Sequence, residues 1–396
     1  MLLLLSKLKN TFCPLTKAIC ISCALILLNI YQTSTMNELP TVHHLMTTLK
    51  SSPANFTQCL LTPPPGLSPK VGIAILSLAF IVGFSGNAFI IWTILFRMKK
   101  RTVTCILIFH LAVADIMVIL TAPFFLHLLS TGSWTSGNAI CKLCHYIGCL
   151  SMYASIFLIT FMSVDRFLAV AKPFSFQKLR TKPVIRMLVF AIWVLSFLLA
   201  IPMLIYRIVI PIRGMQICYP CHSNFQQLIL QYLFEIIIGF VIPFTVIVYC
   251  YTYIGIRLRS AKFQSKERTS RLVVLIVVTF SLFLIPYQVV NILQVSGNLI
   301  TGPTAEKLKQ AAAFARPIVT ALIFLSSSIN PILYGFAGGT FIRTAGIGFM
   351  AKLFEGTSSE VSSLRKVSQV FRQRSRNESV EMGKRGEEIK TLSLNQ

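Results

Sequence analysis

The chain contains little charge for its length. Only 12% of its 396 residues are Asp, Glu, Lys or Arg, whereas about a quarter of an ordinary soluble domain is charged. Acidic residues are the scarcest, at 12 against 37 basic ones, and the mean hydropathy is +0.72. This composition excludes an ordinary soluble domain and indicates a protein that is largely surrounded by lipid.

The sequence also lacks the motifs that would turn its net charge of +25 into a nucleic-acid-binding surface. It has no zinc finger, no phosphate-binding loop and no run of basic residues interleaved with stacking aromatics. No set of nucleophile, base and oxyanion-stabilising residues converges in it either. We therefore expect neither a nucleic-acid partner nor an enzyme.

Long apolar stretches dominate what is present, and a membrane span needs about 20 mostly apolar residues. The sequence predicts an all-α bundle of seven transmembrane helices, at Val71–Leu95, Cys105–Leu129, Ile140–Val170, Val184–Tyr206, Leu228–Gly255, Leu272–Val295 and Pro317–Phe336. Basic residues are concentrated in alternate connections, at Arg97–Arg101, Lys172–Arg186 and Arg257–Arg268. The positive-inside rule makes these connections cytoplasmic, with the N-terminus outside and the C-terminus inside.

The segments outside the predicted transmembrane domain, residues 70–338, have compositions of their own. Residues 1–35 contain a short apolar core after several lysines, which indicates a signal peptide, or an N-terminal extension if the natural start is Met36. Residues 36–69 form an exterior tail with a glycosylation sequon at Asn55. We expect an amphipathic helix on the membrane surface at 339–355 and a disordered cytoplasmic tail at 356–396.

Two cysteine motifs, Cys141–His145 and Cys218–His222, each match the C-x-x-C-H pattern of haem attachment and together imitate a zinc site. Their exterior location favours a disulfide instead, and we expect Cys141 to be joined to Cys218. A metal or haem site is the alternative. A second bridge remains open among Cys59, Cys144 and Cys221.

Polar residues occur inside the predicted spans. An intramembrane carboxylate such as Asp115 indicates a functional site by default. If Asp115, Ser155 and Asn330 lie at similar depth, they could hold a sodium ion or form a polar network that rearranges. A helix–helix hydrogen bond is the structural alternative.

Several motifs, in order, resemble those of the rhodopsin-like G-protein-coupled receptors between Val71 and about Phe354. They are Gly86-Asn87, "LAVAD" ending at Asp115, Asp165-Arg166-Phe167, Trp193, Pro243 with Tyr251, and "NPILY" from Asn330 to Tyr334. Finer phrases, such as "CKLCHYIGCLSMYAS" and "AGIGFMAKLFEGTSSE", are similar to the leukotriene B4 receptors, the high-affinity type more than the low-affinity type. Departures from the family pattern are Phe167 for the commoner tyrosine, Lys266 for an acidic lock partner and Leu284 for the toggle tryptophan.

The residues at the outer ends of the spans suggest the ligand. Arg207 and Arg316 could bind a carboxylate in bidentate fashion, although each could equally extend to the lipid headgroups. Polar and adaptable side chains nearby complete the expected ligand-binding set: His145, Met152, Tyr153, Glu235 and Asn291. The pattern suits an anionic, hydroxylated fatty acid, and the resemblance implies leukotriene B4. A chemotactic peptide is the alternative ligand, and a transporter or haem-bearing membrane protein is the alternative class.

On the inner face, the resemblance implies a plasma-membrane receptor that couples to an inhibitory G protein in chemotaxis and inflammation. It assigns activation and coupling to Asp165, Arg166, Tyr251, Asn330, Pro331 and Tyr334. Arrestin and receptor kinases are the expected partners of the serine-rich tail, and anionic membrane lipids those of the basic loops.

Overall fold

The computed structural model describes residues 69–98, 103–171, 181–212, 214–260 and 268–337. Side chains within 258–275 and from 334 onward are not part of that description. The expectations for residues 1–35, the tail with Asn55, Lys266, the surface helix at 339–355 and the cytoplasmic tail all lie outside the described residues.

Seven helical segments are long and apolar enough to cross a membrane, which confirms the predicted all-α bundle. They are numbered here as spans one to seven: Pro69–Arg97, Val103–Thr131, Gly137–Ala171, Lys182–Tyr206, Phe225–Arg257, Ile276–Leu299 and Pro303–Leu333. Helices suit this environment because every backbone hydrogen bond is made within the segment, where no water is available to replace it.

Several spans are not single uninterrupted helices. The individual helices are Pro69–Trp92, Val103–Ile119, Ala122–Thr131, Gly137–Ala171, Lys182–Tyr206, Phe225–Ile236, Ile242–Ser260, Arg268–Leu299 and Pro303–Ala337, with single π turns at Thr93–Arg97 and Ile237–Val241. The π turn of span five begins two residues after Glu235, and such turns often occur at functional sites.

The seventh helix begins at Pro303, well before the Pro317 expected from apolar length alone. Gly302, with φ of 94°, ends the preceding loop, and a proline at the first helical position has its φ already fixed for a helix. The negative charge of Glu306, in the first turn, then interacts favourably with the positive N-terminal end of the helix dipole. Counting only apolar residues missed this polar first part of the helix.

A β-hairpin closes one end of the bundle, between spans four and five, and this end is called the outer end below because the sequence predicts that it lies outside the cell. Strands β1 (Arg207–Ile212) and β2 (Met215–Pro220) pair antiparallel, with Arg207 opposite Pro220 and Val209 opposite Cys218. The expected disulfide between Cys141 and Cys218 is present, with Cα atoms 5.8 Å apart, and ties the hairpin to span three. Both sulfurs are used in this bond, which removes the metal and haem interpretation of those two cysteines.

The other two cysteines of these motifs, Cys144 and Cys221, differ in their bonding. Cys221 is disulfide-bonded, whereas Cys144 is a buried free thiol. Cys105, Cys149 and Cys250 are also buried free thiols and pack as small apolar side chains.

Span three forms the centre of the bundle. In its most apolar part 61% of the residues are buried, against 22% in span four. The main core cluster joins Leu150, Ile156 and Ile159 of span three to apolar residues of spans one, two and six. Side chains on span three are therefore placed by contacts on several sides.

Spans one and seven approach closely at Gly86. A Cβ atom added there would lie 2.5 Å from the Cβ of Pro331, a distance that real contacts essentially never show. We predict that Gly86→Ala destabilises the detergent-solubilised protein by about 1–3 kcal/mol, because overpacking forces the two helices apart. Thermal unfolding followed by a thiol-reactive dye measures the effect.

Gly255→Ala in span five is the matched control, since an added Cβ there meets nothing within 4 Å. It should leave the unfolding temperature unchanged or raise it slightly, because alanine is the better helix former. Equal unfolding temperatures for the two variants would contradict the close packing of Gly86 on Pro331.

Candidate functional site

Two arginines converge at the outer end of the bundle from different elements. Arg207 is the first residue of β1, and Arg316 lies on the seventh helix. The two guanidinium groups are near enough to interact electrostatically. The Nε atom of Arg207 and the Nη2 atom of Arg316 are buried and have no hydrogen-bond partner among the described residues. The pair therefore presents donors that remain available to an anion.

Arg316 is held by its neighbours on spans five and six. Its Nη1 atom donates to Asn291 Oδ1, and its guanidinium carbon lies 5.1 Å from the ring centre of Tyr232 and 5.5 Å from that of Tyr287. Cation–π contacts of this kind stabilise a desolvated cation. Asn291 in turn donates through Nδ2 to Gln288 Oε1 at 3.3 Å. This chain fixes the orientation of Arg316 without consuming all of its donors.

A buried carboxylate faces the two arginines. Glu235 is 2% exposed and interacts electrostatically with both Arg316 and Arg207. Tyr287 and Asn291 are its nearest hydrogen-bonding neighbours, but neither carboxylate oxygen is in a well-formed hydrogen bond within the described residues. Gln288 Nε2 is likewise buried without an acceptor. Because such groups are rarely left unpaired, the cluster indicates a binding site for a polar ligand.

The charges of this cluster do not cancel. Arg207 and Arg316 supply two positive charges against the one negative charge of Glu235, a surplus that suits a single carboxylate. Burial lowers the pKa of Arg207 from its usual value, and the neighbouring Arg316 adds to that effect, while Tyr232, Tyr287 and Glu235 oppose it. A ligand anion would therefore relieve the repulsion between the arginines.

The hairpin contributes two further titratable groups. Burial raises the pKa of Tyr219, on β2, although the nearby arginines lower it. Burial also lowers the pKa of His222, which stacks on Tyr206 with ring centres 4.3 Å apart and hydrogen-bonds Gln231 at 2.7 Å. His222 is thus neutral near pH 7 and adds no charge to the site.

The other predicted ligand-binding residues lie on span three. His145 interacts electrostatically with Arg207, and its Nδ1 atom lies 2.9 Å from the Cys141 carbonyl oxygen. Tyr153 is buried and interacts electrostatically with Glu235. Met152 is turned toward a small deeper cavity rather than toward the arginines. The structure thus brings together Arg207, Arg316, Glu235, Asn291, His145 and Tyr153, with Met152 beneath them.

Sequence reasoning did not include Tyr232, Tyr287 and Gln288 in the ligand site. Each could have been found from spacing, because residues three or four apart share one helix face. Tyr232 precedes Glu235 by three positions, and Tyr287 and Gln288 precede Asn291 by four and three. Polar residues at these intervals inside apolar spans mark the face that points into the bundle.

A second polar cluster lies nearer the centre of the bundle. Asn330 Nδ2 donates to Asp115 Oδ2 at 2.8 Å, and Asn87 Nδ2 donates to the Ser327 carbonyl oxygen at 3.0 Å. A cavity of about 20 Å³ lies close by. It is lined by four serines (Ser151, Ser155, Ser326 and Ser327), by Met152, and by four apolar residues of spans six and seven (Phe280, Phe283, Leu284 and Ile323). About 10–15 Å³ is enough for one water molecule.

At the inner end, Arg166 and Asp165 are both buried on span three. Arg166 Nη2 donates to the Thr104 hydroxyl at the start of span two, and Arg166 also interacts electrostatically with Tyr251 of span five. Phe167 packs against Tyr249 and Tyr253 of span five, with ring centres 5.6 and 5.0 Å away. The helix of span seven continues past Pro331 to include Tyr334, whose side chain is outside the described part.

Comparison with known proteins supplies the family. Residues 86–334 match the family described as 7 transmembrane receptor (rhodopsin family). The chain is 49% identical over 310 residues to leukotriene B4 receptor 1 of Homo sapiens, covering 76% of this chain and 88% of the relative. It is 38% identical to leukotriene B4 receptor 2 of Homo sapiens, covering 73% and 82% of the two chains. A more distant relative is the C3a anaphylatoxin chemotactic receptor of Oncorhynchus mykiss, at 31% identity over 74% of this chain and 81% of the relative.

These relatives are receptors, which confirms the expectation that the chain is not an enzyme. The match covers six of the seven spans entirely and begins within the first, at Gly86. The chain belongs to the rhodopsin family of seven-transmembrane receptors.

Proposed function

We propose that this chain is a receptor for leukotriene B4 that signals through inhibitory G proteins in chemotaxis and inflammation. The observation that carries the proposal is the pair of half-buried arginines, Arg207 and Arg316, each with a donor that has no partner among the described residues, beside the buried Glu235 carboxylate. The names of the relatives with 49% and 38% identity support the same ligand.

The geometry suggests how a hydroxylated fatty acid would bind. Its carboxylate would pair with the donors of Arg207 and Arg316, since a planar guanidinium matches a carboxylate in bidentate fashion. Its hydroxyl groups would donate to Glu235 or exchange hydrogen bonds with His145 and Tyr153. The hydrocarbon chain would run toward Met152 and the apolar walls of spans three and six.

A chemotactic peptide is the second candidate, favoured by the 31% identity to a C3a receptor. A basic peptide would be expected to meet acidic residues on the exterior tail. Glu38 is the only acidic residue between Met36 and Pro69. The ligand-site surplus of positive charge also disfavours a cationic group.

One assay distinguishes the lipid ligand from the peptide ligand. Cells that express the chain are challenged with leukotriene B4 and, in parallel, with chemotactic peptides including C3a, and the inhibition of cyclic-AMP synthesis is recorded. We expect a response to the lipid and none to the peptides. A response to a peptide alone, with the protein detected at the cell surface, would replace the lipid with the peptide.

The proposal extends to the membrane arrangement and the inner face. We place the protein in the plasma membrane with its glycosylated tail and hairpin outside and its basic connections inside. On activation, Arg166 would leave Thr104 and contact the G protein, with Tyr251, Pro331 and Tyr334 completing the coupling surface. Arrestin and receptor kinases would act on the serine-rich segment after residue 356, and anionic lipids on the basic loops.

The central polar cluster fits an allosteric sodium ion. A carboxylate and neutral oxygen ligands are the donors that hard cations prefer. Asp115 would supply the charge, with Ser155 and Asn330 supplying neutral oxygens, and the adjacent cavity of about 20 Å³ leaves room for one bound species. An ion held there would favour the packing in which Asn330 stays hydrogen-bonded to Asp115.

Substitution of either arginine should weaken agonist binding. We predict that Arg316→Ala and Arg207→Ala each raise the concentration of leukotriene B4 for half-maximal response by about 30-fold or more, because losing one partner of a buried charge pair costs about 2–5 kcal/mol. Arg316→Lys should recover only part of the loss, since lysine lacks the planar fork.

Lys309→Ala is the matched control. Lys309 lies on the same helix as Arg316, has a side chain that is 24% exposed, and pairs only with Glu306 at 3.1 Å among the described residues. Its loss should leave potency within about twofold, as expected for a surface ion pair. Unchanged potency in both arginine variants at normal surface expression would refute the carboxylate pair.

Coupling should be separable from binding at the inner end. We predict that Arg166→Ala keeps leukotriene B4 binding but abolishes the cyclic-AMP response. Thr104→Val should raise basal signalling, because it removes the hydroxyl that accepts from Arg166 without changing the shape of the side chain. Radioligand binding and cyclic-AMP assays on the same cells measure both effects, and a signalling-competent Arg166→Ala receptor would disprove this role.

A further inference from the structure

A groove lies between spans two and three on the membrane-facing side, apart from the ligand site. Four residues of span two, from both sides of a break in its helix, line the groove opposite one face of span three: Met117, Leu120, Thr121 and Phe124 opposite Ile140, Leu143, Cys144 and Ile147. The two walls do not interlock but enclose about 190 Å³. An engineered apolar cavity of about 150 Å³ is large enough to bind benzene.

A break in span two creates the groove. The helix ends at Ile119 and restarts at Ala122, and the amide of Thr121 bonds the Val118 carbonyl oxygen at 3.0 Å, one residue closer than in an α-helix. Pro123 follows in the first turn of the new helix, where it is tolerated. The change of direction separates the outer part of span two from span three.

The groove opens toward the bilayer. Leu120, Leu143 and Phe124 at its edge are 50%, 46% and 36% exposed, and all lie within membrane spans. With a rise of about 1.5 Å per residue, Cys144 lies about 10 Å below the outer end of span three, and Leu120 about 16 Å below the end of span two. Span three has 35 residues and is therefore about 52 Å long, more than the hydrocarbon thickness of about 30 Å, so the groove extends from near the headgroup boundary at Cys144 into the hydrocarbon at Leu120.

The chemistry of the lining selects hydrocarbon. The Thr121 hydroxyl donates its hydrogen to the Val118 carbonyl oxygen at 2.7 Å, and the other polar side chain is the weakly hydrogen-bonding thiol of Cys144. The remaining six lining side chains are apolar, and none of the eight offers a strong free donor to a phosphate headgroup. We propose that this groove binds an acyl chain of a phospholipid from the leaflet at the hairpin end, a site beyond the proposed function of the receptor.

Dispersion contacts provide the attraction. Lipid tails are as apolar as the groove, so transfer from the bilayer gains nothing from the hydrophobic effect. An acyl chain that fills the groove, however, gives the side chains on both walls the dispersion contacts that they lack when the groove is not filled. A bound chain would therefore stay longer than one on a smooth helix face.

The groove is linked to the ligand site through adjacent aromatic residues. Phe124 lines the groove, and the next residue, Phe125, packs on His145 and Phe324 with ring centres 5.5 and 5.6 Å away. An acyl chain in the groove would therefore contact the helix turn whose next residue packs on His145.

Photo-crosslinking tests the proposal without any agonist, so its outcome is independent of whether leukotriene B4 is the ligand. The full chain is placed in nanodiscs of phosphatidylcholine that contain a phosphatidylcholine with a mid-chain diazirine, and crosslinked peptides are mapped by mass spectrometry. We expect several-fold more crosslinking at Leu120, Phe124, Leu143 and Cys144 than at Phe190 and Leu198, which are 70% and 58% exposed on span four.

A groove-filling variant with a matched control sharpens the test. Leu143→Trp, at the edge of the groove, should reduce crosslinking at Phe124 and Cys144 several-fold. Leu195→Trp, at a site with a similar 44% exposure on span four, should leave it unchanged. Labelling in proportion to exposure alone, no difference between the two variants, or preferential labelling by a photoreactive sterol instead of the acyl probe would each overturn the proposal.

Discussion

The burial of charge at the outer end of the bundle is the constraint on which the ligand site depends. A guanidinium or carboxylate taken out of water is costly unless it is paired and hydrogen-bonded. Arg316 meets this cost through Asn291, Tyr232 and Tyr287, whereas Glu235 and the free donors of the arginines are left to be satisfied by a ligand. The fold maintains this unbalanced arrangement because each group comes from a different element. The disulfide ties β2 to span three, and β2 pairs with β1, the strand that carries Arg207.

We propose that the sixth span links this site to the inner face. Leu284, at the position where the family resemblance leads us to expect a toggle tryptophan, lines the cavity beneath the ligand site together with Phe280 and Phe283. A leucine there has less bulk to rotate, so movement of span six would depend on the neighbouring phenylalanines and on Tyr287 under Arg316. Small changes at this cavity can reach Asp115 and Asn330, because Ser327 lines the cavity and is a side-chain neighbour of Asp115, which accepts a hydrogen bond from Asn330.

Much of this arrangement could be predicted from the sequence because the bilayer restricts the choices. Apolar length identified all seven spans, and the exterior location of Cys141 and Cys218 predicted their bond. The early start of the seventh helix at Pro303 could not be found from hydropathy, since its first turns are polar. The positions of Tyr232 and Gln288 depend on how spans five and six rotate toward Arg316, which packing determines rather than local composition. The break at Leu120 has only Pro123 as a local signal, and the groove it opens depends on the path of span three.

The central claim is that charge pairing with the two arginines holds the ligand. The most direct test compares the affinity of the purified receptor for leukotriene B4 with its affinity for the neutral carboxamide of the same lipid. The account predicts that the acid binds about 30-fold more tightly or better, as expected for a buried charge pair, and that the difference disappears when Arg207 and Arg316 are both replaced by alanine. Equal affinities for the acid and the amide in the unmodified receptor would contradict it.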